Sequence, residues 1–97
     1  MQSVYLATKR YFDKTGGNSY FSSRIQIDGV EVARLSLQYG YESQDEYEAL
    51  AALIRLGYLS PGNGSLYSAV KNAGAVLYKT PFIYVTRREA KAWGELG

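Results

Sequence analysis

The chain contains neither cysteine nor histidine. Without cysteine there are no disulfides, thiolate nucleophiles or zinc–thiolate centres. Without histidine the side chain that titrates near neutral pH, the commonest general base and metal ligand, is missing. Catalysis would have to run on serine, tyrosine, lysine or carboxylates alone. No motif assembles those groups, so the expectation is a non-enzyme with no cofactor. Long apolar runs are absent too: none approaches the roughly 20 residues that a membrane-spanning helix requires. The opening residues Met1-Gln2-Ser3-Val4-Tyr5 lack the basic start and apolar core of a secretory signal, which predicts a cytoplasmic protein with no membrane partner. Asn63-Gly64-Ser65 matches the glycosylation pattern, but no secretory signal gives that match meaning.

The glycines are plentiful but carry no nucleotide-binding fingerprint. Gly16-Gly17 and Gly62-Asn63-Gly64 fit neither the P-loop spacing nor the dinucleotide pattern, and read as turns. The acidic group Glu42, Asp45, Glu46 and Glu48 has oxygen ligands to offer magnesium. Its place at a helix start accounts for the charges without a metal.

What is present suits one small folded unit. Ninety-seven residues, 46% of them hydrophobic, fit a single domain over residues 1–97. Net charge is only +2, too low for a nucleic-acid binder on bulk charge. Residues 41–56 hold Glu42, Asp45, Glu46 and Glu48 against Arg55 alone, whereas residues 57–97 hold Lys71, Lys79, Arg87, Arg88 and Lys91 against Glu89 and Glu95. Ten tyrosines stand out. Tyrosine combines a rigid apolar ring with a polar tip, which suits recognition surfaces and the rim of a small core.

Apolar–polar alternation predicts strands over residues 4–12, 20–27 and 30–39. The segment Asp13-Lys14-Thr15-Gly16-Gly17-Asn18-Ser19 forms one connection and Asp28-Gly29 the other. In the second hairpin Phe21, Ile25 and Ile27 must share a face with Ala33, Leu35 and Leu37. That requirement favours a three-residue bulged turn pairing Gln26 with Val30 over a two-residue turn. The opposite face then carries Tyr20, Ser22, Arg24 and Gln26 beside Val32, Arg34, Ser36 and Gln38, a polar sheet face open to solvent.

Ser43-Gln44-Asp45-Glu46 reads as a capping box, followed by an apolar stripe of Tyr47, Leu50, Ala51 and Ile54 and a left-handed stop at Gly57. Leu66, Ala69, Val70 and Ala73 predict a second short helix closed by Gly74. Residues 75–85 are strand-like, with Pro81 implying an edge or a bend. Thr86-Arg87-Arg88-Glu89 opens a terminal helix containing Ala90 and Trp93. The fold class is therefore α+β: a three-stranded antiparallel sheet packed by an amphipathic helix, with a C-terminal helix–strand–helix extension. Expected core residues are Leu6 or Tyr5, Phe21, Ile25, Leu35, Leu37, Leu50, Ile54, Val70 and Ile83.

Tyrosine and arginine carry binding energy more often than other residues. Tyr39-Gly40-Tyr41, where the third strand turns towards the helix, is the first candidate, with Gly40 expected at positive φ. With Tyr20, Arg24 and Arg34 on the open face, these form the expected partner-binding set. A protein partner fits them best; single-stranded nucleic acid stacked on the open face is the alternative. Exposed sheet edges also allow a homodimer.

The segment from Lys9-Arg10-Tyr11-Phe12-Asp13-Lys14 through Gly17-Asn18-Ser19-Tyr20-Phe21-Ser22, with Gln38-Tyr39-Gly40-Tyr41-Glu42 and Leu56-Gly57-Tyr58-Leu59, resembles small bacteriophage and prophage proteins. The resemblance spans roughly residues 5–60. It implies no enzymatic activity and carries over no binding residues. It implies a short accessory protein of the kind that binds and inhibits a host machine, CRISPR effectors included.

Overall fold

The computed structural model describes residues 1–81 and 83–95. In chain order come β1 (Ser3–Asp13), β2 (Asn18–Ile27), β3 (Val30–Tyr39), α1 (Gln44–Arg55), α2 (Leu66–Asn72), β4 (Val76–Lys79) and α3 (Arg87–Gly94). They build an α+β fold around a four-stranded mixed sheet in the order β3-β2-β1-β4. The expected sheet of three antiparallel strands is thus extended by β4, which pairs parallel to β1 from Ser3↔Val76 to Leu6↔Lys79. Helices α1 and α2 carry the chain across the sheet from the β3 edge to the β4 edge, as a parallel connection demands. Nothing in a four-residue strand announces such a partner.

The strand-like reading of residues 75–85 is cut at Lys79, and Phe82 lies outside the described residues. Pro81 has no N–H to give the ladder. Thr80 closes it instead, its hydroxyl accepting the Thr8 N–H at 2.9 Å. Beyond the proline the chain rejoins β1: the Arg10 N–H donates to Ile83 O at 3.1 Å, and the Val85 N–H donates to Arg10 O at 2.7 Å.

The β2–β3 hairpin corrects the expected turn but keeps its reason. Ile27 pairs with Val30 across a two-residue loop, with Asp28 at φ 51° and Gly29 at φ 83°. Both residues lie in the left-handed region that a tight turn of this twist requires, and Asp-Gly is suited to it. A register shift between Gln26 and Ile25 then brings Ile25 opposite Ala33 and Ser23 opposite Leu35. The apolar faces match after all, because an extra residue sits in the strand rather than in the turn. A second shift between Ser23 and Phe21 pairs Phe21 with Gln38 and Tyr20 with Tyr39.

One sheet face holds the core. Val4, Leu6, Phe21, Ile25, Ile27 and Leu35 pack under Ala49, Ala52 and Leu53 of α1 and Leu66, Ala69 and Val70 of α2. The stripe of α1 is rotated from the expected one. Asp45, Ala49, Ala52 and Leu53 are buried, Leu50 and Ile54 only flank the core, and Tyr47 faces solvent. Two alanines let the helix approach closely, and Asp45 turns inward because partners await it. Thr8 Oγ1 donates to Asp45 Oδ2 at 2.8 Å, and Arg10 Nη2 stands 3.2 Å from Asp45 Oδ1.

The capping box at Ser43 does not form. Ser43 lies at φ −91°, ψ 14°, away from the extended conformation that aims a capping hydroxyl, and Glu46 pairs with Lys79 Nζ at 2.9 Å instead. The expected helix stop does form: the Gly57 N–H donates to Ile54 O and the Tyr58 N–H to Leu53 O. Leu37 and Ile83, expected in the core, are half-buried and exposed respectively. No helix among the described residues is long and apolar enough to cross a membrane.

The other face is not open, contrary to expectation, because α3 lies on it. Ala90 is fully buried, Ser22 Oγ donates to Ala90 O, and Trp93 Nε1 donates to Ala7 O at 2.8 Å. A Cβ on Gly94 would lie 2.5 Å from Leu35 O, so only glycine permits this approach. The hydroxyl cap at the start of α3 does form, Thr86 Oγ1 accepting the Glu89 N–H at 3.2 Å.

Two outcomes follow. Asp45→Ala leaves the Arg10 guanidinium buried opposite an apolar methyl and should destabilise the fold by about 3–5 kcal/mol, read as a lower urea midpoint with an unchanged slope; replacing both partners by apolar residues should cost less than Asp45→Ala alone. Asp28 accepts backbone N–H groups from Gln2 at 2.7 Å and Ser3 at 2.8 Å, and these hydrogen bonds lower its pKa below the ordinary 3.8. Its contribution is present above the unfolded-state pKa and is lost as pH falls through the folded value. Asp28→Asn keeps the turn, so acid titration of stability should lose part of its slope below about pH 4.

Candidate functional site

The cross-strand registers line up three tyrosines on the face that α3 half covers. The four-residue loop after Asp13 pairs Tyr11 with Tyr20, and the second bulge pairs Tyr20 with Tyr39. Without that bulge Tyr20 would face Gln38. Ring centroids are 6.2 Å apart for Tyr11–Tyr20 and 5.9 Å for Tyr20–Tyr39. Tyr41 extends the row, 5.3 Å from Tyr39 and nearly perpendicular to it at 81°. Edge-to-face packing of this kind holds Tyr20, Tyr39 and Tyr41 in place, while Tyr11 lies tilted against Tyr20 at 32°.

The bend that delivers Tyr41 depends on Gly40, though not through positive φ as expected. Gly40 is buried against Phe21, and a Cβ there would lie 2.6 Å from Phe21 Cε1 and from Gln44 Cγ. The left-handed residue is Glu42, at φ 46°. Its carbonyl accepts Arg10 Nη2 at 2.8 Å, so the buried arginine that pins α1 also pins the joint beneath Tyr41.

Two clefts meet at Tyr11. One, of about 510 Å³, is lined by Tyr11, Asp13, Tyr20, Leu37, Tyr39 and Arg87. The other, of about 490 Å³ and mostly apolar, is lined by Tyr11, Phe12, Lys14, Tyr84 and Val85. Tyr39 is 54% exposed and Tyr41 49%. This end of the sheet thus combines concavity, exposed aromatic rings and hydroxyl tips, the mixture found in recognition surfaces.

Of the expected contact residues, Tyr20, Tyr39 and Tyr41 are brought together. Arg24 and Arg34 are not with them. They pair across the strands farther along the face, two like charges side by side. Glu31 answers both, at 3.8 Å from Arg24 Nε and 2.8 Å from Arg34 Nε. Arg24 also stacks 3.8 Å from the Trp93 ring centre and donates to Trp93 O at 3.0 Å, while Arg34 donates to Glu95 O. Both guanidiniums thus meet carbonyls at the C-terminal end of α3, where positive charge is favoured. They hold the helix down.

Tyr11 and Arg87 were missed from the sequence. Tyr11 follows from the first hairpin register, because β1 and β2 run on to Asp13↔Asn18 and the turn is shorter than the expected 13–19. Arg87 arrives only because α3 docks beside the row.

Three of the four acidic side chains around the start of α1 are engaged within the protein. Asp45 faces Thr8 and Arg10, Glu46 meets Lys79, and Glu48 accepts from Gln44 at 3.1 Å. Among the described residues no group of three or more acidic side chains is arranged to hold a metal ion.

A hydrogen bond to Tyr41, the largest cause, with desolvation and neighbouring phenols behind it, raises the Tyr39 pKa above its ordinary 10.0. Ultraviolet titration of phenolate should therefore show Tyr39 ionising later than an isolated tyrosine. Tyr41→Phe, which removes the partner hydroxyl, should bring that step back towards pH 10.

Comparison with family models, with curated proteins and with solved structures finds no match for the chain.

Proposed function

We propose that the chain is a non-catalytic binding protein that docks on another protein through the Tyr11–Tyr20–Tyr39–Tyr41 row. The observation that carries this reading is the row itself. Four tyrosines lie in continuous ring contact across three strands and a bend, flanked by two clefts and left exposed at Tyr39 and Tyr41. A small domain gains little stability from rings half in water, whereas rigid aromatics at a concave surface suit a partner's side chains. Resemblance to phage proteins narrows the proposal: the partner is a host protein complex, and docking inhibits or modulates it in the manner of anti-CRISPR and other anti-defence proteins. That narrower form rests on the resemblance alone.

The single-stranded nucleic-acid reading depended on Arg24 and Arg34 lining an open sheet. Their engagement by Glu31 and α3 weakens it, and the modest net charge of +2 adds nothing in its favour.

The chain immobilised as bait in host lysate should retain a protein in stoichiometric amount. Tyr39→Ala with Tyr41→Ala should weaken that complex by about thirty-fold or more, the loss of about 2 kcal/mol typical of anchor residues, with circular dichroism and the unfolding midpoint close to those of the parent. Unchanged capture by a folded double variant would remove the site. A salt-sensitive shift with single-stranded oligonucleotides, abolished by the same variant, would transfer it to nucleic acid.

A further inference from the structure

We infer that the apolar cleft beside Phe12 takes an extended peptide segment of a partner protein, added as a short strand to the open stretch of β1, with an apolar side chain in the cleft and a carboxylate at Lys14. This rests on the reading of the sheet end as a protein-docking surface and specifies what enters it.

The β1 edge is used up only as far as Arg10. Its N–H and C=O point away from β2 and are taken by Ile83 O and the Val85 N–H. Backbone groups alternate along a strand, so those of Phe12, two residues on, point the same way. By then the other chain has gone, because Thr86 begins the turn into α3. Among the described residues neither the N–H nor the C=O of Phe12 finds a partner on that side. Residues 83–85 therefore show how a strand sits here, parallel to β1, and they stop one step short of Phe12.

An unpaired donor and acceptor on a sheet edge form a template for one more strand. The adjoining surface fits the side chains of such a strand. Phe12 is 43% exposed, and Tyr11, Tyr84 and Val85 complete a mostly apolar cleft of about 490 Å³ beside it. Lys14, in the turn that follows β1, lines the cleft beside Phe12 and has no carboxylate within ion-pair distance among the described residues. The occupant therefore carries an apolar residue with an acidic one about two positions along. A second copy of this chain is a different occupant, and the test separates it.

The probe is a set of capped heptapeptides of strand-forming residues. Each has isoleucine, leucine, valine or phenylalanine at the centre and glutamate two positions on. Titrated into isotopically labelled protein up to about 1 mM, at least one member should shift the amide resonances of Phe12 and Lys14 and slow hydrogen exchange at Phe12. Methylating the peptide's central amide nitrogen should weaken binding roughly tenfold, and Lys14→Glu should do the same. A peptide with lysine in place of glutamate should recover binding to Lys14→Glu. No shift with any member, equal binding after amide methylation, or concentration-dependent shifts at Phe12 without peptide would each overturn the inference. Capture that depends on Tyr39 and Tyr41 while these peptides fail would leave the docking reading standing and remove this one alone.

Discussion

Beneath helix α1 a carboxylate and a guanidinium face each other almost out of reach of water. Asp45 is 0% exposed and Arg10 5%. Such a pair is costly to bury and more costly to break, so everything attached to either partner is constrained. Arg10 belongs to β1, Asp45 to the first turn of α1, and Lys79 of β4 reaches Asp45 Oδ2 at 3.9 Å. Ser23 of β2 joins through Thr8, their hydroxyls 2.7 Å apart. The network decides which side of α1 faces the sheet, overriding the stripe that hydrophobicity alone would select. Because the same guanidinium holds the carbonyl of Glu42, it also fixes the bend that carries Tyr41.

The bulges of β3 act at a second level. One restores the match of apolar faces after a two-residue turn, and the other slides Tyr39 opposite Tyr20. Together they convert an ordinary hairpin into one with a core face and an aromatic row. They also fall on an edge strand, where irregularity discourages pairing with other chains. The long edge is thereby protected, while the open stretch of β1 is short and lies beside an apolar cleft.

Helix α3 covers one part of the second face and leaves the other exposed. Lys9 and Arg24 hold it by stacking on Trp93, Arg24 and Arg34 through carbonyls at its C-terminal end, and Ser22 through the Ala90 carbonyl at mid-helix. The tyrosine row lies beyond its N-terminal end and stays accessible. A polar sheet face that looks like a binding platform in a linear reading is therefore mostly an internal interface. The part left over is aromatic: Tyr39 and Tyr41 stay exposed there.

Local chemistry made much of the architecture legible. Alternation located the first three strands, left-handed glycines ended α1 and α2, and Thr86 opened α3, because each of these signals is settled within a few residues. The absence of imidazole and thiol likewise restricted the available chemistry without reference to any fold. Other features depended on contacts between distant parts of the chain. The parallel pairing of β4, the inward turn of Asp45, the covering of Arg24 and Arg34, and the meeting of Tyr11 with Tyr39 each needed two or more elements to be in place. Burial and cross-strand register are properties of the assembled sheet: the sequence alone determined which segments form, and only the tertiary structure decided which of their faces remained exposed.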